Sequence, residues 1–189
     1  MSNFLSHKGD YKNLIVYQKT ECIYDITCYF VDHYLPKTGD RTVDQMKQAA
    51  RSGKQNIAEG NEAGTTSMET NIKLVNVAKA SLKELQEDYE DYLRTHRLSR
   101  WESNSTQFQN ARMWCRQHSN PADYIRMCEL RDDKTIANIA LILLHQADYL
   151  LMRLLEKLKQ DFLENGGIRE QMSQARRNWR DQHGYQSKK

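Results

Sequence analysis

The chain has 189 residues, of which 39% are hydrophobic and 28% charged, and its formal net charge at pH 7 is +3. This apolar fraction excludes an intrinsically disordered chain and suits one globular domain with an appendage. No stretch approaches the roughly 18 consecutive apolar residues of a membrane-spanning helix, and no secretory signal follows Met1. We therefore expect a cytoplasmic protein that does not enter a membrane.

Four long segments have apolar residues at every third or fourth position, the spacing that places them on one face of an α-helix. Pro36 follows the first segment, Thr66 and Glu69 form a capping-box pattern at the third, and Gly166 and Gly167 follow the fourth. Long helices are therefore predicted over residues 13–35, 42–59, 66–97 and 133–164.

One glycine lies inside the second predicted helix, on the face that carries its apolar residues. Gly53 follows Ala50 by three positions and precedes Ile57 by four. A glycine in a helix interior costs about 1 kcal/mol relative to alanine, and the close approach of a neighbouring helix would offset that cost. Gly60 lies just past the last apolar position, where we expect it to end the helix.

Residues 99–133, between the third and fourth long helices, have a less regular pattern. Short helices are predicted there over residues 103–117 and 121–129, and the aromatic residues among them indicate packing against the rest of the chain. After the fourth long helix, a short basic helix is predicted from residue 168 to about residue 182.

These elements predict an all-α protein, because no strand pattern of any length occurs. The predicted architecture is an up-and-down four-helix bundle over residues 10–164. A helical insert at residues 99–133 precedes its last long helix, and a basic C-terminal suffix occupies residues 165–189.

Three stretches of the sequence resemble a known bacterial family: LIVYQKT near the N-terminus, QMKQAARS from Gln45 and NIAEG from Asn56. The family consists of four-helix-bundle proteins encoded by intervening sequences of 23S ribosomal RNA genes. It also resembles the accessory variability determinant proteins of diversity-generating retroelements. The similarity covers roughly residues 10–98 and 133–163, and the C-terminal suffix resembles the longer form of the family.

The resemblance implies a ring-like assembly with specific partners. The family's bundle assembles as a homopentamer, and in the retroelement branch its ring has a basic surface. That surface binds nucleic acid together with a reverse transcriptase. RNA or DNA, further copies of this chain and a reverse transcriptase are therefore the partners that the resemblance implies.

The sequence contains no recognisable catalytic, cofactor or metal motif. The six histidines are scattered, none lies beside a nucleophile in a known pattern, and no glycine-rich phosphate loop or Glu-x-x-His pair occurs. Cys115, His118 and Cys128 are the one set of potential zinc ligands, but they lack the paired spacing of a zinc site. We expect no catalytic residue, no cofactor and no metal.

A basic stripe on the second helix is the first candidate binding site. Lys47, Arg51 and Lys54 are spaced four and three residues apart, which places three cations on one helical face. They would contact phosphates if the face is open, and a ring of subunits would multiply those contacts. The alternative is a solvated face whose cations pair with acids of a neighbouring helix.

The basic tail is the second candidate site. Residues 169–189 carry a net charge of +4, whereas residues 1–168 carry −1. Arginine and exposed tryptophan side chains are typical of sites that grip phosphate and stack on unpaired bases. The alternative is that Met172 and Trp179 dock on the bundle. The candidate residues of the tail are Arg169, Arg176, Arg177, Trp179 and Arg180.

Two functions of different classes fit these observations. The first is a non-enzymatic, oligomeric accessory protein that contacts the RNA or DNA backbone through the basic stripe and the tail. The second is a structural oligomerisation or adaptor module that binds a protein partner. The basic tail favours the first function, and the near-neutral charge of the first 168 residues favours the second.

Overall fold

The structure is a computed structural model that describes residues 10–36 and 41–183. In these ranges the chain forms a 3-10 turn at Tyr11–Asn13, seven α-helices and no strand, which confirms the all-α prediction. The helices are α1 (Ile15–Tyr34), α2 (Thr42–Ala63), α3 (Met68–Thr95), α4 (Thr106–Gln117), α5 (Pro121–Cys128), α6 (Asp133–Asn165) and α7 (Ile168–Gln182).

The four long helices form a helical bundle around one apolar core. Helix α1 packs on α2 and α6, and α3 also packs on α2 and α6. Each contributes fully buried side chains to the core, among them Phe30, Ile57, Tyr89 and Leu143. Because every long helix has one apolar face, this mutual packing is what removes those faces from water.

The first half of α6 contains an unbroken run of buried residues. All of residues 136–144 are buried, whereas the second half of the helix alternates between buried and exposed positions. Among the described residues, the helical run from Asp133 to Gln182 is the one that qualifies as a membrane span by length and composition. Its most apolar 18 residues are 61% buried within the protein, as in any core helix. The bundle therefore covers most of this apolar stretch, although Tyr149 and Met152 of α6 remain exposed.

Gly53 is placed where α2 approaches α3 most closely. A Cβ atom at this position would lie 2.7 Å from Leu82 Cγ, well inside normal van der Waals contact. This confirms that the close approach of a neighbouring helix explains the glycine inside α2. The packing face of α3 therefore determines which residue α2 tolerates here.

Two predicted helix ends are wrong. Helix α2 continues past Gly60 to Ala63, and Gly60 is buried against α3, where a Cβ would lie 3.3 Å from Leu74 Cβ. This glycine permits close packing rather than ending the helix. Helix α3 is capped one residue later than predicted, because the Ser67 hydroxyl accepts a hydrogen bond of 3.1 Å from the backbone N–H of Thr70.

The predicted insert contains two helices that pack on different parts of the bundle. Helix α4 packs on α6, and α5 packs on α1. Lys19 of α1 is buried, and its ammonium donates hydrogen bonds to the backbone carbonyls of Cys115 and His118 at the end of α4. The Tyr124 hydroxyl of α5 donates to the His118 carbonyl at 3.0 Å. These bonds join α1, α4 and α5.

Candidate nucleic-acid interface

The basic stripe of α2 faces the neighbouring helix α1. The Lys47 ammonium lies 2.6 Å from the Asp32 carboxylate, and this hydrogen bond raises the pKa of Lys47. The side chains of Lys47 and Asp32 are 35% and 57% exposed. An ion pair this exposed contributes little to stability, but it neutralises the cation that a phosphate would otherwise contact.

Lys54 is also engaged by α1. Its ammonium lies 4.6 Å from the centre of the Tyr24 ring, in cation–π geometry. Burial raises the pKa of the nearby Asp25, and the positive charge of Lys54 partly opposes that rise. Arg51 is exposed and forms no ion pair with any residue that the structure describes. These contacts favour the interpretation in which the stripe pairs with its neighbour, with Arg51 as the exception.

Helix α7 stands apart from the bundle. It begins after Gly166 and Gly167, and the Glu170 carboxylate accepts a 2.8 Å hydrogen bond from the Gly167 backbone N–H at its start. None of its residues is buried, and it lacks the extensive packing that joins the other α-helices. Its apolar residues therefore do not contribute to the core.

The apolar residues of α7 form one stripe along the helix. They are spaced four, three and four positions apart, which keeps them on a single face. Met172 is 51% exposed and Trp179 is 54% exposed. The structure therefore does not show the docking of these two side chains on the bundle that was the alternative for the tail. The stripe consists of Ile168, Met172, Ala175 and Trp179.

Three of the predicted arginines lie in one row along the helix, next to this apolar stripe. Arg169, Arg176 and Arg180 are spaced seven and four positions apart, and at 1.5 Å per residue they span about 16 Å of helix. Arg177 lies further round and donates a 3.0 Å hydrogen bond to Gln174. None of the four forms an ion pair within the described part of the chain.

Trp179 presents an aromatic face near the end of this row. Its ring stacks on His183 with a centroid distance of 4.5 Å and an interplanar angle of 17°. Arg180 follows it directly in the sequence. An exposed tryptophan beside unpaired arginines combines a surface on which bases stack with donors that bind phosphate. The structure thus brings the tail candidates together on one helix, away from the stripe of α2.

At its other end, α7 lies near the start of α3. Hydrogen bonds to its own backbone N–H and to the Ser67 hydroxyl lower the pKa of Glu69, and the positive charge of Arg169 adds to that effect. Arg169 therefore has an acidic neighbour, whereas Arg176 and Arg180 lie one and two turns further out. We expect these two outer arginines to be the more available to an anionic ligand.

The described cysteines and histidines differ in their burial and in their neighbours. Among the described residues, no three His, Cys, Asp or Glu side chains lie close enough to hold a metal ion. Burial raises the pKa of Cys115 to about 11 and that of Cys128 to about 12, so both thiols stay protonated at neutral pH. His118 stacks on Trp114 at 4.4 Å and bonds to its carbonyl.

Sequence reasoning missed three cations, Lys19 of α1 and Arg112 and Arg116 of the insert. Lys19 lies three residues after Val16 and four before Ile23, on the buried face of α1, and this position was a readable signal of a buried lysine. Arg112 and Arg116 are four residues apart on α4, on either side of the exposed Met113. Only the packing of α4 on α6 shows that these cations border a common groove.

No protein-family model, curated protein or solved structure matches this chain.

Proposed function

We propose that this protein is a non-enzymatic accessory protein that binds the backbone of RNA or DNA through α7. The proposal rests on the row of Arg169, Arg176 and Arg180 next to the exposed Trp179, because none of the three arginines forms an ion pair with a residue that the structure describes. Phosphate contacts from arginine supply affinity that does not depend on sequence, and stacking on tryptophan favours single-stranded segments.

The proposed architecture is the up-and-down four-helix bundle formed by α1, α2, α3 and α6. The mutual packing of these helices in a closed set supports it, as do the short connections from α1 to α2 and from α2 to α3. The same bundle is what the resemblance to the 23S rRNA intervening-sequence family implies. In this arrangement α7 is an appendage rather than a fifth member of the bundle.

Oligomerisation is part of the proposal. The family resemblance implies a homopentamer, in which a short row of arginines would recur in every subunit and become a larger basic surface. Repetition increases affinity steeply, because linked sites engage one strand with a high effective concentration. A reverse transcriptase is the protein partner that the same resemblance implies. Arg51 of α2, the one exposed cation of the stripe without an ion pair, is proposed as a secondary contact.

The experiment is a salt titration of binding to a labelled single-stranded oligonucleotide. The variant R169Q/R176Q/R180Q is compared with the full-length protein and with a control, K73Q/K83Q/K157Q, that removes three exposed lysines elsewhere. Each phosphate contact contributes about −0.7 to the slope of log K against log salt on single strands. The arginine variant should therefore lose about 2 from the slope, and the lysine control should keep it.

Equal slopes for the arginine variant and the full-length protein would contradict the proposal. They would show that Arg169, Arg176 and Arg180 make no phosphate contact. Equal losses in the arginine variant and the lysine control would also contradict it, because binding would then follow net charge alone. A comparison on double-stranded DNA separates stacking from phosphate contact, since bases in a duplex are not available to Trp179.

A structural oligomerisation module is the second candidate function, and exposed apolar side chains favour it. Val77 of α3 is 46% exposed and Met152 of α6 is 40% exposed. Neither is needed by the bundle, and apolar surface of this kind is typical of subunit contacts. The molar mass in solution, measured by light scattering with V77D/M152D as the variant, tests this role independently of nucleic acid.

A further inference from the structure

A concave groove lies between α4 and α6. Its volume is about 870 Å³, and the beginning of α1 closes one end. Phe108 and Met113 come from α4, Ile142, Tyr149 and Leu150 from α6, and Ile15 from α1. The groove contains no residue of α7, so what binds here is separate from the proposed nucleic-acid contact.

Apolar side chains of the groove remain unusually accessible to water. Ile15 is 46% exposed, Met113 is 61% exposed and Tyr149 is 57% exposed. Three large apolar residues that face one groove form a patch, and such patches mark binding sites more often than scattered apolar residues do. Methionine and tyrosine are also enriched in the cores of protein interfaces.

The charge of the groove has one sign. Lys19, Arg112 and Arg116 line it, and no aspartate or glutamate does. Arg112 and Arg116 are exposed and form no ion pair in the described ranges, while Lys19 is held by the carbonyls at the end of α4. The groove therefore offers two available guanidinium groups beside an apolar surface, which suits an acidic, apolar occupant.

The groove is held in shape by contacts at several points along α4. Besides the bonds from Lys19, the Gln146 side chain of α6 donates a 3.0 Å hydrogen bond to the Arg112 carbonyl. The Ser105 hydroxyl caps the start of α4 by accepting from the Phe108 backbone N–H at 3.2 Å. A preformed groove loses less conformational entropy on binding.

We propose that this groove docks an amphipathic, acidic helix of a partner protein. Apolar residues of that helix, at every third or fourth position, would contact Met113, Tyr149 and Ile15. Its carboxylates would lie against Arg112 and Arg116. Grooves between two helices with an apolar floor are a recurring mode of helix recognition, and α4, at 12 residues, is about 18 Å long, or about three turns of a partner.

Other occupants fit the charges or the apolar floor less well. The terminal segments 1–9 and 184–189 contain lysine and no acid, so neither complements the arginines. A second copy of the chain offers an acidic groove between α2 and α3, which includes Glu84, Glu87 and Asp88. Among the described residues, Ala49 is the only apolar one that lines that acidic groove, so the groove supplies carboxylates without apolar anchors.

The test is a selection on the full-length protein from a phage-displayed library of helical peptides of about 16 residues, randomised on all faces. Peptides that bind the variant R112E/R116E are removed beforehand. We expect the enriched peptides to carry Leu, Ile, Phe or Met at helical spacing and an excess of Asp or Glu. Synthesised peptides should bind the variant at least tenfold more weakly, and M113D should weaken them as well.

A matched control keeps the result specific. The variant K73E/K157E makes the same change in charge at exposed lysines outside the groove, and it should retain peptide binding within about twofold. Because Arg112 and Arg116 are exposed and form no ion pair with the part of the chain that the structure describes, R112E/R116E should keep the thermal unfolding midpoint, which circular dichroism checks.

Three outcomes would overturn the proposal. The first is no enrichment, or enrichment of neutral or basic peptides. The second is equal weakening of peptide binding by K73E/K157E and by the groove variant. The third is a fall in the molar mass of the protein itself in R112E/R116E, which would identify a second copy as the occupant. The α7 variants leave the groove intact, so failure of this proposal and failure of nucleic-acid binding are distinguishable.

Discussion

Replacing Gly53 with alanine tests how closely α2 and α3 approach. The alanine Cβ would lie 2.7 Å from Leu82 Cγ, and Leu82 is only 3% exposed. Overpacking of a core costs about 1–3 kcal/mol, whereas alanine gains about 1 kcal/mol over glycine inside a helix. The net effect of Gly53→Ala should be a loss of about 0–2 kcal/mol in the free energy of unfolding.

The same substitution should have the opposite effect when Leu82 is alanine. The variant Leu82→Ala removes the atoms that the new methyl group would meet, at a cost of its own of about 2–5 kcal/mol. In that background Gly53→Ala keeps only the gain in helix propensity, about 1 kcal/mol. A double-mutant cycle should therefore give a coupling of about 1–3 kcal/mol between the two sites.

Urea denaturation followed by circular dichroism measures the four free energies of this cycle. The variants must unfold in one transition with similar dependence on urea, so that the differences are comparable. If Gly53→Ala changes the free energy of unfolding equally in both backgrounds, Gly53 and Leu82 are not in contact. The described packing of α2 on α3 would then be refuted.

Three further predictions concern single side chains. The variant W179A should weaken binding to single-stranded oligonucleotides by about 1–3 kcal/mol and duplex binding much less, as fluorescence anisotropy would show; an equal effect on both would refute stacking. The variant K19M, which leaves two carbonyls of α4 without their charged donor, should lower the free energy of unfolding by about 2–3 kcal/mol; an unchanged urea midpoint would contradict this. His145 is partly exposed, but partial desolvation and the positive charge of Arg100 lower its pKa, so a small part of the stability should be lost as the pH drops below about 6.5, the pKa of histidine in the unfolded chain. H145Q should reduce that loss, and an identical pH profile for both proteins would exclude His145 as a cause.

The helices were predictable because each carries a strong periodic signal. The fourth predicted helix, 133–164, begins at the same residue as the observed α6 and ends one residue before it. Helix ends were less predictable at glycines, because a glycine can either end a helix or permit close packing inside it. Gly60 follows the last apolar position of α2, as a terminating residue would, but it lies inside the helix because Leu74 and Asn71 of α3 pack against it.

The position of the insert could not be read from the sequence. Periodicity predicts its two helices, but which long helix each contacts depends on tertiary packing. Lys19 is the clearest case. A lysine on an apolar stripe indicates that its side chain is buried, but it does not show which groups accept its hydrogen bonds. Only the structure shows that the ammonium satisfies the carbonyls of Cys115 and His118, 96 and 99 residues away. Such bonds between distant residues leave no local pattern.

The sequence predicts which candidate residues share a helix face, but it does not predict which groups surround them. Spacing along one helix places Lys47, Arg51 and Lys54 on one face, yet it does not reveal that Asp32 and Tyr24 of α1 lie opposite. For the tail, the sequence left docking and exposure as equal alternatives. In the structure Met172 and Trp179 are about half exposed, which favours exposure, and spacing along one helix cannot reveal this.

The most direct test of the central claim compares the full-length protein with a chain that ends at Asn165. The affinity of both for structured RNA and for single-stranded DNA is measured across a series of salt concentrations. We expect a steep salt dependence for the full-length protein and a large loss of both affinity and slope when α7 is removed. Equal binding by the two chains, or no binding by the full-length protein even at low salt, would contradict the claim that α7 binds nucleic acid.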